Sequence, residues 1–214
     1  MEKLINRQDA GRRLAAELDR YAGRDDTIVL GVPRGGVVVA FEVAHAIGAP
    51  LDIFIVRKLG APEQEELAVG AIASGGVRVL NDDVVEALGL TEDQIEVIAA
   101  REQAVLEQNE RRYRGHSTPL DLSGKTVILV DDGLATGASM RAAIRSLKIH
   151  QPARIVVAVP TGPSDTCADL RREVDETVCL MTPEPFYAIG FAYVDFSQTS
   201  DEEVVGLLEK AQSF

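Results

Sequence analysis

Val127-Ile128-Leu129-Val130-Asp131-Asp132-Gly133-Leu134-Ala135-Thr136-Gly137-Ala138-Ser139 is the stretch on which the fold turns. Four apolar residues without polar alternation read as a strand buried on both faces of a sheet. The strand runs into two adjacent acids, then a loop of small residues, then a helix from about Ala138. Such a loop suits a phosphate. Small residues let backbone N–H groups approach an anion, and the following helix adds its N-terminal field. Thr136 and Ser139 add hydroxyls, and Gly137 removes a side chain where the chain must fold tightly. A Walker A loop requires a lysine after its second glycine, and here Ala138 and Ser139 follow Gly137. Gly133 and Gly137 do not form G-x-G-x-x-G either. Asp131 and Asp132 stand at the carboxyl end of the strand, where open α/β sheets bind ligands. Adjacent carboxylates repel, so the pair needs a reward. A ribose diol offers two donors, and Mg²⁺ bound to that diol and to pyrophosphate offers charge compensation.

The rest of the chain repeats an α/β rhythm. Asn6 or Asp9 caps a first helix with Leu14, Ala15, Leu18 and Tyr21 on its apolar face. Residues 27–30 form a short buried strand that enters Gly31-Val32-Pro33-Arg34-Gly35-Gly36, and 37–47 form a helix. Residues 51–56 form the next strand, which gives a right-handed βαβ unit. Strands over 67–72 and 77–80 flank Ser74-Gly75-Gly76, a hairpin signal. Asp82 or Asp83 starts a short helix ending near Gly89, and Thr91 caps a longer one with Glu92 and Asp93 in its first turn. Residues 114–123 read as loop. Further strands at 154–160 and 178–180 enclose a short helix over 164–172, and Ser200 opens a last helix. The fold class is therefore α/β: a mostly parallel central sheet flanked by helices, in one domain over 1–214, with a helical insertion or lid at 81–115 and a small hood at 180–198.

Composition narrows the partners. The 214 residues are 46% hydrophobic, enough for one sizeable core, and contain no Trp. A formal charge of −12 argues against a general nucleic-acid or anionic-membrane surface. It leaves room for small anionic ligands, since a pocket can concentrate a few arginines. No apolar run approaches the roughly 18 residues of a membrane span, and charged residues interrupt the first 30 positions where a leader would need an apolar core. Cys167 and Cys179 have neither metal spacing nor a disulfide framework, which suits a reducing cytoplasm.

The acid pair with its small-residue loop resembles the 5-phosphoribosyl 1-diphosphate (PRPP) motif of type I phosphoribosyltransferases. The wider likeness covers roughly residues 27–160. In that family the two acids address the ribose hydroxyls and the loop wraps the 5′-phosphate. The resemblance therefore implies that Asp131, Asp132, Gly133, Leu134, Ala135, Thr136, Gly137, Ala138 and Ser139 bind PRPP. Val32-Pro33-Arg34-Gly35-Gly36 is similar to the family's pyrophosphate loop, which often holds a non-proline cis peptide. Gly35 and Gly36 permit close backbone approach there, and Arg34 offers a planar fork to phosphate oxygens. Arg57 and Lys58 match a basic position at the end of the second core strand; one of them should face the site, because strand residues alternate. Arg57-Lys58-Leu59-Gly60, Glu184-Pro185-Phe186 and Asp195-Phe196-Ser197-Gln198 resemble a bacterial and archaeal branch of the family.

The resemblance implies transfer of the phosphoribosyl group to a nucleobase-like or other small nitrogenous acceptor. Arg34, Lys58, Asp131 and Asp132 would be the catalytic set, and Mg²⁺ the cofactor, held by Asp131 and Asp132 directly or through water. Family members acting on hypoxanthine or guanine carry an acid at the position of Ala135. The expected acceptor wall is Phe186 and Tyr187, in a hood that also holds Phe191, Tyr193 and Phe196. Residues 81–113 and their basic end, Arg111-Arg112-Tyr113-Arg114-Gly115, are expected to replace or supplement the family's lid. The partners are PRPP and the acceptor, with no nucleic acid or membrane, and a homodimer stays open. Two other classes remain: a non-catalytic PRPP or nucleotide sensor, and a hydrolase of phosphorylated sugars.

Overall fold

A computed structural model describes residues 3–62, 64–115 and 121–213. In chain order its elements are α1 (Arg7–Glu17), β1 (Thr27–Gly31), α2 (Gly35–Ile47), β2 (Leu51–Ile53), β3 (Val56–Ala61), β4 (Gln64–Ala73), β5 (Val77–Leu80), α3 (Asp82–Leu88), α4 (Glu92–Arg114), β6 (Thr126–Val130), α5 (Ala138–Ile149), β7 (Arg154–Thr161), α6 (Ser164–Leu170), β8 (Glu176–Met181) and α7 (Asp201–Ala211).

The central sheet has the order β2-β1-β6-β7-β8, and every pairing in it is parallel. Val29 stands opposite both Leu51 and Ile128, and Ile128 opposite Val156. All five residues of β1 and of β6 are buried. This is what uninterrupted apolar runs give when helices cover both faces. Val29, Ile128 and Val156 face Leu14 of α1, Leu18 just beyond its end, and Val39 and Val43 of α2. Leu30, Leu129 and Val157 face Met140, Ile144 and Leu147 of α5 and Leu170 of α6.

The strand expected over 51–56 is in fact two. Phe54 N–H donates to Gly31 O at 3.0 Å, and Ile55 N–H donates to Ser74 Oγ at 3.0 Å. These partners end β2 in the central sheet and start β3 in a second, antiparallel sheet of order β3-β4-β5. Arg57 and Lys58 therefore lie on β3 and not at the end of a core strand. The Gly75-Gly76 turn forms as expected, with φ of 82° and 74°.

Residues 81–115 fold as α3 and α4. Thr91 and Gln94 form a reciprocal capping box at the start of α4. Ile95, Ala99, Leu106 and Tyr113 of α4 are buried, in part against Leu59, Val69 and Ile72 of the small sheet and Val204 and Leu208 of α7. Part of the loop read over 114–123 lies outside the described residues. Residues 180–198 include a 3-10 turn at Ile189–Ala192 and bridge to the N-terminal segment through Leu4 and Tyr193. Among the described residues no helix is long and apolar enough to cross a membrane.

Candidate functional site

Parallel strands β1 and β6 are neighbours, so their carboxyl ends deliver the Arg34 loop and the acid loop to one edge of the sheet. Val32 N–H donates to Val130 O at 2.9 Å and ties the two together. Contact is close enough to require both glycines. A Cβ on Gly36 would stand 2.9 Å from Asp131 Cα, and one on Gly35 would stand 2.5 Å from Arg7 Nε and collide with Asp132 Oδ2. The peptide between Pro33 and Arg34 is cis, as the family resemblance implied.

The two acids have different surroundings. Asp131 Oδ1 accepts the Asp132 N–H at 2.8 Å. Burial and the neighbouring Asp132 charge push the Asp131 carboxyl well above the usual carboxylate range, and the Arg7 charge works the other way. Asp132 Oδ2 accepts from Arg7 Nε at 2.8 Å, and its backbone carbonyl accepts from Tyr193 Oη at 2.6 Å. Burial and the acid pair raise the Tyr193 phenol above its ordinary value. Asp131 Oδ2 and Asp132 Oδ1 have no hydrogen-bond partner among the described residues.

After the acids the loop is pinned on its inner side. Leu134 N–H donates to Thr161 O at 2.8 Å, and Gly133 packs under Ile189 of the hood. Gly137 caps α5 with φ of 74°. Ala138 N–H reaches Thr136 Oγ1 at 3.4 Å. Ala135, Thr136, Ala138 and Ser139 are exposed. The first N–H groups of α5 have no acceptor within the helix, so the loop presents donors and a helix N-terminus to solvent. Arg141 supports the loop through Thr136 O at 3.0 Å, while its Nε is held by Glu173 at 2.8 Å.

Arg34 and Arg57 line one cavity of about 340 Å³ together with Asn109 and Tyr113 of α4 and Asp201 of α7. Arg34 is 3.8 Å from Asp201, and Arg57 Nε is 2.6 Å from Glu102. Lys58 does not line this cavity. It lines the broader groove between β3 and α4 with Arg101 and Glu102. The basic end of α4 is committed within the protein. Arg112 and Tyr113 both bind Asp201, and burial together with that hydrogen-bonded carboxylate pushes the Tyr113 phenol up to about 12. Arg114 is largely buried. Its Nε donates to both carboxylate oxygens of Asp52, at 2.9 and 3.0 Å, and its Nη2 donates to Ile53 O.

The five hood aromatics divide. Tyr193 and Phe196 turn toward the acids, with ring centroids 4.9 Å apart and the Arg7 guanidinium 4.0 Å over Phe196. Tyr187 and Phe191 are exposed and line a separate cavity of about 240 Å³ with Pro183 and Pro185. Phe186 is half-buried.

Sequence reasoning gives Arg7 no role at this site, and Tyr193 only a place among the hood aromatics. One signal is present in the chain: Arg7 opens α1 directly after its Asn6 cap, where the helix field disfavours a cation.

A family model described as the phosphoribosyl transferase domain matches residues 2–178. Rv0571c of Mycobacterium tuberculosis, which carries a provisional phosphoribosyl transferase name, is 46% identical over 211 residues, 99% of this chain and 47% of its own length. The chain thus spans about half the length of the first curated relatives it matches. The bifunctional protein PyrR of Chloroflexus aurantiacus is 31% identical over 131 residues, 60% of this chain and 66% of that protein. The crystal structure of TT1426 from Thermus thermophilus superposes with a TM-score of 0.87 at 40% identity, covering 98% of this chain and 99% of that one.

Proposed function

The chain belongs to the phosphoribosyl transferase family, and from that premise we propose that it transfers the 5-phosphoribosyl group of PRPP to a small nitrogenous acceptor of nucleobase type, releasing diphosphate. The observation that carries this reading is the meeting of the Arg34 loop and the 131–139 loop at one sheet edge, with Gly35 and Gly36 packed against the acids. A nitrogen lone pair forms the bond to ribose C1 as the C1–O bond to diphosphate breaks, and the ring gains oxocarbenium character. The uncommitted oxygens of Asp131 and Asp132 face the ribose hydroxyls and stabilise that positive charge. The donors of exposed Thr136 and Ser139, with the N–H of the buried Gly137 between them, hold the 5′-phosphate. Arg34 and Arg57 receive the leaving diphosphate. Catalysis is then positioning and electrostatics, with about 10²–10³ in rate for each preorganised contact.

Mg²⁺ fits as part of the substrate complex. Two carboxylate oxygens without hydrogen-bond partners among the described residues suit a hard cation directly or through water. Bound with PRPP, the ion would neutralise diphosphate charge. The free thiols Cys167 and Cys179 support a cytoplasmic setting.

A second reading, a PRPP or nucleotide sensor without turnover, is favoured by one observation: Asp201 and Glu102 already engage Arg34 and Arg57. Purified protein incubated with PRPP, Mg²⁺ and a panel of bases decides between the two. Diphosphate release that depends on one acceptor supports the transferase. PRPP binding without release across the panel supports the sensor, and release without any acceptor supports a hydrolase.

A further inference from the structure

Asp132 is held from two sides by parts of the chain far from it in sequence. Arg7 Nε binds its Oδ2 at 2.8 Å, and the two side chains are only 11% and 15% exposed. Arg7 is itself fixed twice more: it donates to Ser197 O at 2.6 Å and lies 4.0 Å over the Phe196 ring. Phe196 rests against Tyr193, whose hydroxyl donates to the Asp132 carbonyl. Arg7, Phe196, Tyr193 and Asp132 thus form a closed ring of contacts joining the start of α1, the hood and the acid loop.

A carboxylate beside another carboxylate is pushed to turn away. A guanidinium fixed in a fork and stacked on an aromatic face opposes that turn, because its donors have one direction and little freedom to lose. Arg7 takes only one oxygen, so Asp132 Oδ1 stays available. The cation also sits at the unfavourable end of α1, a placement that helix stability does not explain.

We propose that Arg7 and Tyr193 are positioning residues that hold Asp132 with Oδ1 presented to the ribose diol. Arg7 acts on the carboxylate and Tyr193 on the backbone carbonyl. The proposal rests on the reading of Asp132 as a ribose contact. Neither residue needs to touch the substrate.

The test is calorimetric binding of PRPP, ribose 5-phosphate and inorganic phosphate to wild type, Arg7→Met, Arg7→Lys, Tyr193→Phe, Asp132→Asn and the Arg7→Met/Asp132→Asn double variant, with melting temperatures read alongside. Arg7→Met should weaken PRPP and ribose 5-phosphate by about 10-fold or more, the scale of one charge-assisted hydrogen bond. Inorganic phosphate, which lacks the diol, should bind as to wild type. Arg7→Lys should recover part of the loss. Tyr193→Phe keeps the ring against Phe196 and removes only the hydroxyl, so it tests the carbonyl contact even where Arg7→Met folds poorly. In the Asp132→Asn background, Arg7→Met should add little, because its effect passes through Asp132. Folded Arg7→Met and Tyr193→Phe proteins with wild-type PRPP affinity overturn the proposal, as does full additivity in the cycle. Wild-type protein that binds phosphate but gains nothing from the ribose of PRPP overturns instead the functional reading beneath it.

Discussion

Gly137→Val tests where the 5′-phosphate sits. Gly137 has φ of 74°, and a Cβ there would stand 2.8 Å from Thr166 Cγ2. A non-glycine residue in the left-handed region costs about 1–2 kcal/mol, and overlap in a packed contact adds about 1–3 kcal/mol. If the loop kept its shape the cost would therefore be about 2–5 kcal/mol. The neighbouring loop positions are exposed, so the loop can relieve that strain by rearranging, and the melting temperature should fall toward the low end, by about 4 °C or somewhat more. Rearrangement turns the N–H groups away from the anion. Losing two charge-assisted hydrogen bonds at about 1.5–3 kcal/mol each weakens binding by about 10²–10⁴. Calorimetry with PRPP and with inorganic phosphate, beside differential scanning calorimetry, measures both effects. A folded Gly137→Val protein that binds PRPP within about 3-fold of wild type would refute this placement of the 5′-phosphate.

Three further outcomes are expected. Arg114→Met leaves Asp52 buried without its cation and should cost about 3–5 kcal/mol, a fall of about 6–20 °C in melting temperature; Asp52→Leu in the same chain should restore most of it, and a single variant that melts like wild type would show that the pair does not hold α4 to β2. Asp131→Asn should raise the melting temperature at pH 7. The folded-state pKa of Asp131 lies above its unfolded value, so ionisation costs stability as pH rises from the ordinary carboxylate range through the folded value; the gain from Asn should vanish below about pH 4, and a loss at pH 7 would contradict the assigned direction. Asp131→Asn with Asp132→Asn should lower diphosphate-forming turnover by at least about 10² with a smaller effect on phosphate affinity; wild-type turnover in the double variant would remove the acids from the mechanism.

The parts of the fold that are legible in the sequence are those specified by neighbours in the chain. β1 and β6 are apolar runs whose every residue is buried, α4 announces itself through Thr91 with Glu92 and Asp93 in its first turn, and the hairpin through Gly75 and Gly76. The break between β2 and β3 is not legible, because 51–56 is one nearly continuous apolar run. What divides it are hydrogen bonds from Phe54 to Gly31 and from Ile55 to Ser74, partners that no local pattern names. The same limit applies to the site. The acid loop reads as a unit from its own residues, and the Arg34 loop through its likeness to the family's pyrophosphate loop. Arg7 reaches Asp132 across 125 positions and Arg112 reaches Asp201 across 89. The cluster at 111–114 reads locally as a favourable helix end or a lid, yet tertiary contacts place Arg112 on Asp201 and Arg114 on Asp52.

These long-range ion pairs divide the candidate site by how much of its polar chemistry is already met. Asp132 has Arg7, Arg34 has Asp201 and Arg57 has Glu102. The opening N–H groups of α5, in contrast, face an exposed loop with no acceptor inside the helix. On the proposed reading, an incoming 5′-phosphate displaces mainly water, whereas a diphosphate must also draw Arg34 and Arg57 away from carboxylates they already hold. Ground-state affinity should accordingly be concentrated in the 5′-phosphate. The contribution of the arginines should grow as the C1–O bond breaks and the departing diphosphate gains charge, which is the condition for raising turnover and not only binding.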